Sequence, residues 1–319
     1  MQAALLNEIE QTIDRLVPVA DFNALLKTFA SDKAGETSRW GQSTRLAHFM
    51  YGGRSPHIDR LAALTELLVL ALDIADDLQD RDNMDKSWMK CPPELALNAV
   101  MGLLVGAIAE LGRLQTEYPG ERFPEPGEIS QIVMHAVNGQ YRDLTNDIET
   151  EQDYISVVQH KSCMLLKLAY YMGYGATPAG DDIAEQMELL AGYVGVVYQL
   201  SNDLRDVLRY DLKNDLLHRK KTLPILYLLG DDTEGRFAPI QDYYSGAMTR
   251  DQFLQHKGAC MAYIAESGCA EYTEVIQSLF MQKAAETLDG LPALSPWKEQ
   301  FRELTLGPAG QPAMDPTEL

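Results

Sequence analysis

Positive charge is scarce in this chain. Its 319 residues carry 27 Lys and Arg against 47 Asp and Glu, a formal net charge of −20 and a pI near 4.6. So acidic a chain repels phosphate backbones and anionic headgroups, which excludes nucleic acid and anionic membrane surfaces as partners. Cysteine is scarce too: Cys91, Cys163, Cys260 and Cys269 are all there is, and the closest two stand nine apart. That excludes zinc-type spacing and a disulfide framework, and leaves buried thiols in a reducing cytoplasm. The six histidines (His48, His57, His135, His160, His218, His256) form no cluster, and no Ser-His-Asp pattern announces a covalent nucleophile. The longest uncharged run, 95–109, has 15 residues, short of the roughly 20 needed to cross a bilayer. The opening MQAALLNEIEQTIDRL is amphipathic and acidic, without the layout of a secretory signal. These absences predict a soluble, cytoplasmic protein with no transmembrane segment.

β-type alternation is nearly absent as well, and helical periodicity fills its place. Leu5, Ile9, Ile13 and Leu16 recur at three- and four-residue steps. Helices are predicted over 58–78, 95–118, 128–148, 152–172, 182–208 and from 222. Breaks fall where Gly and Pro gather, at 52–53, 92–93, 119–127 and 173–180. Helices this apolar must be enclosed by neighbours. The expectation is an all-α, single-domain bundle around a central cavity over 1–306, with 307–319 a disordered tail holding three prolines.

Two acidic clusters interrupt the apolar helices. In Asp76-Asp77-Leu78-Gln79-Asp80, Asp76 and Asp80 share a helix face and Asp77 borders it. In Asn202-Asp203-Leu204-Arg205-Asp206 the same steps recur, with Gln199 a turn earlier. Carboxylates facing an apolar interior cost several kcal/mol unless paired or bound to cations. Hard divalent cations resolve that repulsion; an acidic helix end running into solvent, or an ordinary amphipathic edge, would give the same letters. Gly139-Gln140-Tyr141-Arg142-Asp143 lies between them, a pattern an exposed face also produces. Lys161 interrupts an apolar helix, where it suits either an anion or simple snorkelling. Lys213, Lys220 and Lys221 form a basic stretch beside the second cluster, suited to a diphosphate or to plain solvation.

Together these motifs resemble the trans-polyprenyl diphosphate synthase family. The chain offers DDLQD, NDLRD, Gly52-Gly53-Arg54, Gly139-Gln140, Lys161-Ser162 and Lys221-Thr222-Leu223-Pro224 for the family's hallmarks, from about 52 to 224. Around 73–90 the likeness is to its ComQ-like isoprenyl transferases. The resemblance implies a Mg²⁺-dependent prenyltransferase with three Mg²⁺ ions. The ligands implied are Asp76, Asp77, Asp80, Asn202, Asp203 and Asp206, with Lys161 and Gln199 completing the catalytic set. It implies diphosphate binding by Arg54, His57, Lys86, Gln140, Lys161, Lys213, Lys220 and Lys221, a chain-length pocket at Ala71 and Leu72, and a homodimer.

The chain departs from the pattern on the acceptor side. The family's Arg-Arg pair after the first acidic motif is Asp85-Lys86 here, Arg54 stands for a Lys, and His57 for an Arg. His57 is mostly neutral at pH 7, so an acceptor site for isopentenyl diphosphate is eroded while the site for the ionising allylic diphosphate is kept. The acceptor is isopentenyl diphosphate or the tryptophan of a small ComX-like peptide. Asn202 in place of the leading Asp keeps a terpene cyclase on the same scaffold as the alternative, and a silent helical subunit as another.

Overall fold

The computed structural model describes residues 2–34, 39–209, 215–230 and 237–307. Among these every regular element is a helix: α1 (Gln2–Leu16), α2 (Ala20–Ala34), α3 (Trp40–Phe49), α4 (Ile58–Asp80), α5 (Ser87–Lys90), α6 (Pro93–Glu117), α7 (Pro126–Thr145) and α8 (Glu151–His160). They continue as α9 (Ser162–Tyr174), α10 (Gly180–Leu208), α11 (Leu223–Leu229), α12 (Ala238–Ser245), α13 (Arg250–Leu254), α14 (Lys257–Glu266), α15 (Cys269–Gly290) and α16 (Trp297–Leu306). The all-α expectation is met. The expected tail, apart from Gly307, lies outside the described residues.

The bundle is built on α4. From Leu61 to Ala71 every residue of this helix is buried, because α1, α3, α6 and α9 pack around it. A helix apolar on all sides has no solvent face, so it becomes the axis on which others are laid. On one side Leu67, Leu70, Ala71 and Ile74 join Ile13, Leu26, Phe29 and Trp88 in a common core. On another, Leu61, Leu64 and Leu68 meet Leu111, Leu114 and Met172. α10 is the second long support, packed against α9 and α15. Its Met187, Leu190 and Val194 form a core with Tyr170 and Phe301.

α6 combines two features. Its best 18-residue window has a mean hydropathy of 1.8, enough for a membrane span by length and composition, although charges bound its longest uncharged run at 15 residues. Ala96, Ala99, Leu103, Ala107, Leu111 and Leu114 are buried in the bundle, while Leu97, Met101 and Val105 are exposed at four-residue steps. An apolar stripe on the outer side of a packed helix is not explained by the core.

Candidate active site

Three helices end at one cleft. Asp76 and Asp80 lie in the last turns of α4, Asp143 in the last turn of α7, and Asp203 and Asp206 near the end of α10. A helix carries about half a negative charge at its C-terminus, which disfavours acidic residues in its last turns. Three such ends with five carboxylates are unfavourable unless cations gather there.

Two lysines answer that charge. Lys161 occupies the break between α8 and α9, with backbone angles outside the helical range. Its Nζ lies 2.6 Å from Asp143 Oδ2 and 3.1 Å from Asp76 Oδ1. Gly139 makes that placement possible: a Cβ there would lie 2.4 Å from the His160 carbonyl carbon and 2.5 Å from Lys161 N. Lys220 Nζ donates to Asp80 Oδ2 at 2.9 Å. The segment carrying it is held by a Tyr244 hydroxyl bond to the Lys220 carbonyl and by Asn146 donating to the Arg219 carbonyl. Arg219 adopts φ +53 and lays its guanidinium 4.3 Å from the Tyr243 ring centroid.

The floor of the cleft is lined by Asp143, Tyr154, Lys161, Ser162, Gln199, Asp203, Asp206, Asp215, Lys220, Lys221 and Thr222. Asp203 is buried and held by a chain of donors. Ser162 Oγ donates to Gln199 Oε1 at 2.8 Å, Gln199 Nε2 donates to Asp203 Oδ1 at 2.8 Å, and the Tyr154 hydroxyl donates to Asp203 Oδ2. Burial raises the Asp203 carboxyl to about 7 against these donors, and raises Asp215 to about 8 with the help of Asp203 and Asp206. Burial also raises Asp76, with Lys161 opposing and Asp80 adding to the rise. For Lys161, burial opposes the charge, but Asp76 and Asp143 prevail and its pKa rises. Such upward shifts mark carboxylates short of positive charge.

A divalent cation suits this donor set. Asp76, Asp80, Asp143, Asp203, Asp206 and Asp215 offer hard oxygen ligands, and the two ammonium groups already lie between them where charge is needed. Among the described residues no three His, Cys, Asp or Glu side chains converge into a preformed cage; Lys161 bridges Asp76 and Asp143, and Lys220 meets Asp80.

The remaining expected residues have other places. Asp77 is turned from the cleft: Asn83 Nδ2 and Trp88 Nε1 donate to its two oxygens, each at 2.7 Å. Asn202 accepts from Arg205 on its own helix. Gln140 keeps a buried amide with no hydrogen bond. Ala71 is fully buried in the core beneath α1 and α2, and Leu72 is half-buried. Lys86 is paired with Asp32 at 3.8 Å and sits over the Trp88 ring. Lys213 falls outside the described residues.

Arg54 and His57 need a correction. They precede Ile58, the first residue of α4, whereas Asp76 is 18 residues along it. At 1.5 Å per residue a helix separates those positions by about 27 Å. His57 instead packs at a tilt against Tyr118, ring centroids 4.2 Å apart, and faces Glu121 at 3.6 Å. The Gly52–Arg54 turn, expected on the acceptor side, therefore lies about a helix length from the aspartates, too far to hold an acceptor's diphosphate beside them. Residues that the motifs did not single out complete the cleft: Tyr154, seven before Lys161, and Asp215, five before Lys220.

The polyprenyl synthetase family profile matches residues 33–256. The chain is 28% identical over 305 residues to the tryptophan prenyltransferase ComQ of Bacillus subtilis (strain 168), covering 93% of this chain and 96% of that one. Its fold is shared with a geranylgeranyl pyrophosphate synthase (TM-score 0.79, 18% identity, 96% and 97% of the two chains). It is shared too with a polyprenyl synthase from Caulobacter crescentus crystallised with calcium and isoprenyl diphosphate (TM-score 0.77, 19% identity, 98% and 95%). With the profile spanning more than two thirds of its length, the chain belongs to the polyprenyl synthetase family, a family of prenyltransferase enzymes.

Proposed function

We propose that this protein ionises an allylic prenyl diphosphate in the aspartate cleft and passes the prenyl group to the indole of a tryptophan in a small peptide. The observation that carries the donor half is that Lys161 joins Asp76 to Asp143 and Lys220 meets Asp80, at a cleft whose floor also carries Asp203 and Asp206. Mg²⁺, three ions in this reading, would be held by Asp76, Asp80, Asp203 and Asp206, and when bound it supplies Lewis-acid stabilisation of the departing diphosphate. Lys161 and Lys220 donate hydrogen bonds to the same oxygens as negative charge accumulates on them, a preorganised form of electrostatic stabilisation. As the donor's C–O bond breaks, its electron pair leaves with the diphosphate. The indole π system supplies the pair for the new C–C bond, and the cation left on the indole loses a proton to the released diphosphate.

The acceptor half rests on two supports. One is the similarity to a tryptophan prenyltransferase over nearly the whole of both chains. The other is that Arg54 and His57 lie a helix length from the aspartates, which leaves the diphosphate of isopentenyl diphosphate without those two groups. We read the enzyme as a cytoplasmic homodimer. Leu97, Met101 and Val105 on α6, with Met134, Val137 and Tyr141 on the adjoining α7, offer an exposed apolar face, which supports a subunit interface for α6 in preference to a bilayer. Met101→Glu is then expected to give a monomer by light scattering.

The test is product mass after incubation with Mg²⁺ and geranyl, farnesyl or geranylgeranyl diphosphate, together with a tryptophan peptide or isopentenyl diphosphate. A prenylated peptide supports the proposal. A longer diphosphate would make the enzyme a chain-extending synthase, and a hydrocarbon or alcohol formed with no acceptor would make it a cyclase.

A further inference from the structure

Asp77 stands second in a motif whose other aspartates face the cleft, yet it faces the opposite way. One helical step rotates a side chain by about 100°, so Asp77 cannot share the face of Asp76 and Asp80. Its carboxylate is buried against the core that contains Phe29 and Trp88. Each oxygen receives one donor, from Asn83 and from Trp88. Trp88 is itself buried, edge-on to Phe29. An indole N–H in such a place needs an acceptor, and a charged one makes the stronger bond.

The chain between Asp77 and these two donors turns sharply. Arg81 at φ +57 and Asn83 at φ +48 both occupy the left-handed region, uncommon for a non-glycine residue although Asn is enriched there. The Asp77 backbone carbonyl also accepts from Asp82 N at 3.2 Å, and Asn83 O accepts from Lys86 N at 2.9 Å. Beyond the turn, Asp32 of α2 receives Ser87 N at 2.7 Å and pairs with Lys86. Asp77 is thus the point from which the turn 81–86, α5 and the end of α2 are hung beside Asp80.

We infer that Asp77 is a positioning residue that fixes the α4–α5 turn at the lip of the cleft through Asn83 and Trp88, and that it is not a metal ligand. The inference rests on the reading that Asp76 and Asp80 hold the metal. A double set of measurements separates the two. Mg²⁺ binding is titrated calorimetrically on the full-length protein with farnesyl thiodiphosphate, an analogue that does not ionise readily, and backbone hydrogen exchange is followed by mass spectrometry. Asp77→Asn, Trp88→Phe and Asn83→Ala should leave the Mg²⁺ dissociation constant within about twofold while speeding exchange over 81–90 by about tenfold or more, the equilibrium cost of one lost charge-assisted hydrogen bond. The Asp77→Asn/Trp88→Phe pair should exchange no faster than the worse single variant, because both remove one contact. Asp80→Ala should do the reverse, weakening Mg²⁺ and leaving 81–90 protected. If Asp77→Asn weakens Mg²⁺ as Asp80→Ala does and Trp88→Phe does not, Asp77 is a ligand and the inference is overturned. Unchanged exchange in all three variants would overturn it equally. If Asp80→Ala leaves Mg²⁺ binding intact, the metal reading itself has failed. Should Trp88→Phe not fold, Asn83→Ala carries the same comparison.

Discussion

Lys220, paired with Asp80, is the more exposed of the two cleft lysines, its side chain 41% exposed against 25% for Lys161. An exposed lysine gains little stability from such a pair, so its worth lies in what it donates to a ligand. Lys220→Met is expected to lower kcat by about 10²-fold, as removal of one preorganised donor does, with little change in melting temperature; steady-state kinetics beside a thermal melt checks it. Lys161 differs, because it neutralises both Asp76 and Asp143 within the bundle, and its loss would disturb folding and chemistry together. Residue spacing singled out Asp76, Asp80 and Asp203 by helical steps along one element, and Lys161 as a lone charge in an apolar stretch. Spacing also sets Asp77 about 100° from the face of Asp76; it could not reveal what holds Asp77 there, since Asn83 and Trp88 lie beyond the helix that carries it. Nor could it reveal Tyr154, whose link to Asp203 joins positions 49 apart.

At the scale of elements, the break between α8 and α9 is what aims Lys161, and Gly139 of α7 is what lets the break approach. Gly139→Ala forces a methyl into the His160–Lys161 backbone. We expect a folded protein with kcat/KM reduced by about 10²-fold, in keeping with the loss caused by misplacing a group by about 1 Å. Farther from the cleft, Glu110 of α6 is buried and accepts from Arg15 of α1, Arg60 of α4 and Arg113 of its own helix. Burial would raise its pKa, but the Arg113 and Arg60 hydrogen bonds outweigh that and hold it at about 2. A carboxylate depressed in the folded state stabilises the fold above the unfolded value near 4.5 and loses that contribution as pH falls toward 2. Glu110→Ala is therefore expected to cost about 2 kcal/mol at pH 7, the arginines being free to turn to water, and almost nothing at pH 2, as urea unfolding at both pH values would register. Helix lengths were legible here, for α4 and α10 span nearly the stretches their apolar runs predict. The error over Arg54 and His57 came from matching a short string without laying the helix between it and the aspartates at 1.5 Å per residue.

The whole molecule carries its net charge of −20 unevenly, with buried carboxylates gathered where α4, α7 and α10 end. Asp203 and Asp215 are raised in the folded protein to about 7 and about 8, whereas unfolded they return to the ordinary carboxylate range. Between about pH 4 and pH 8 the native state thus binds more protons than the unfolded state, and stability falls as pH rises. This is opposite in sign to Glu110, whose contribution is lost below about pH 4.5, so the two windows meet only at about pH 4. Metal-free protein should then melt at a temperature lower by a few degrees at pH 8.5 than at pH 6, a shift of the size about 1 kcal/mol produces in a chain this long. Mg²⁺ with a prenyl diphosphate binds only the folded state and prefers ionised carboxylates, so its stabilisation grows with pH. Melts at several pH values, with and without both ligands, should give curves that separate toward alkaline pH. Equal ligand stabilisation at pH 6 and 8.5 would mean that Asp203 and Asp215 do not face the bound charge, and that the diphosphate lies nearer to Asp76 and Asp80 than to α10.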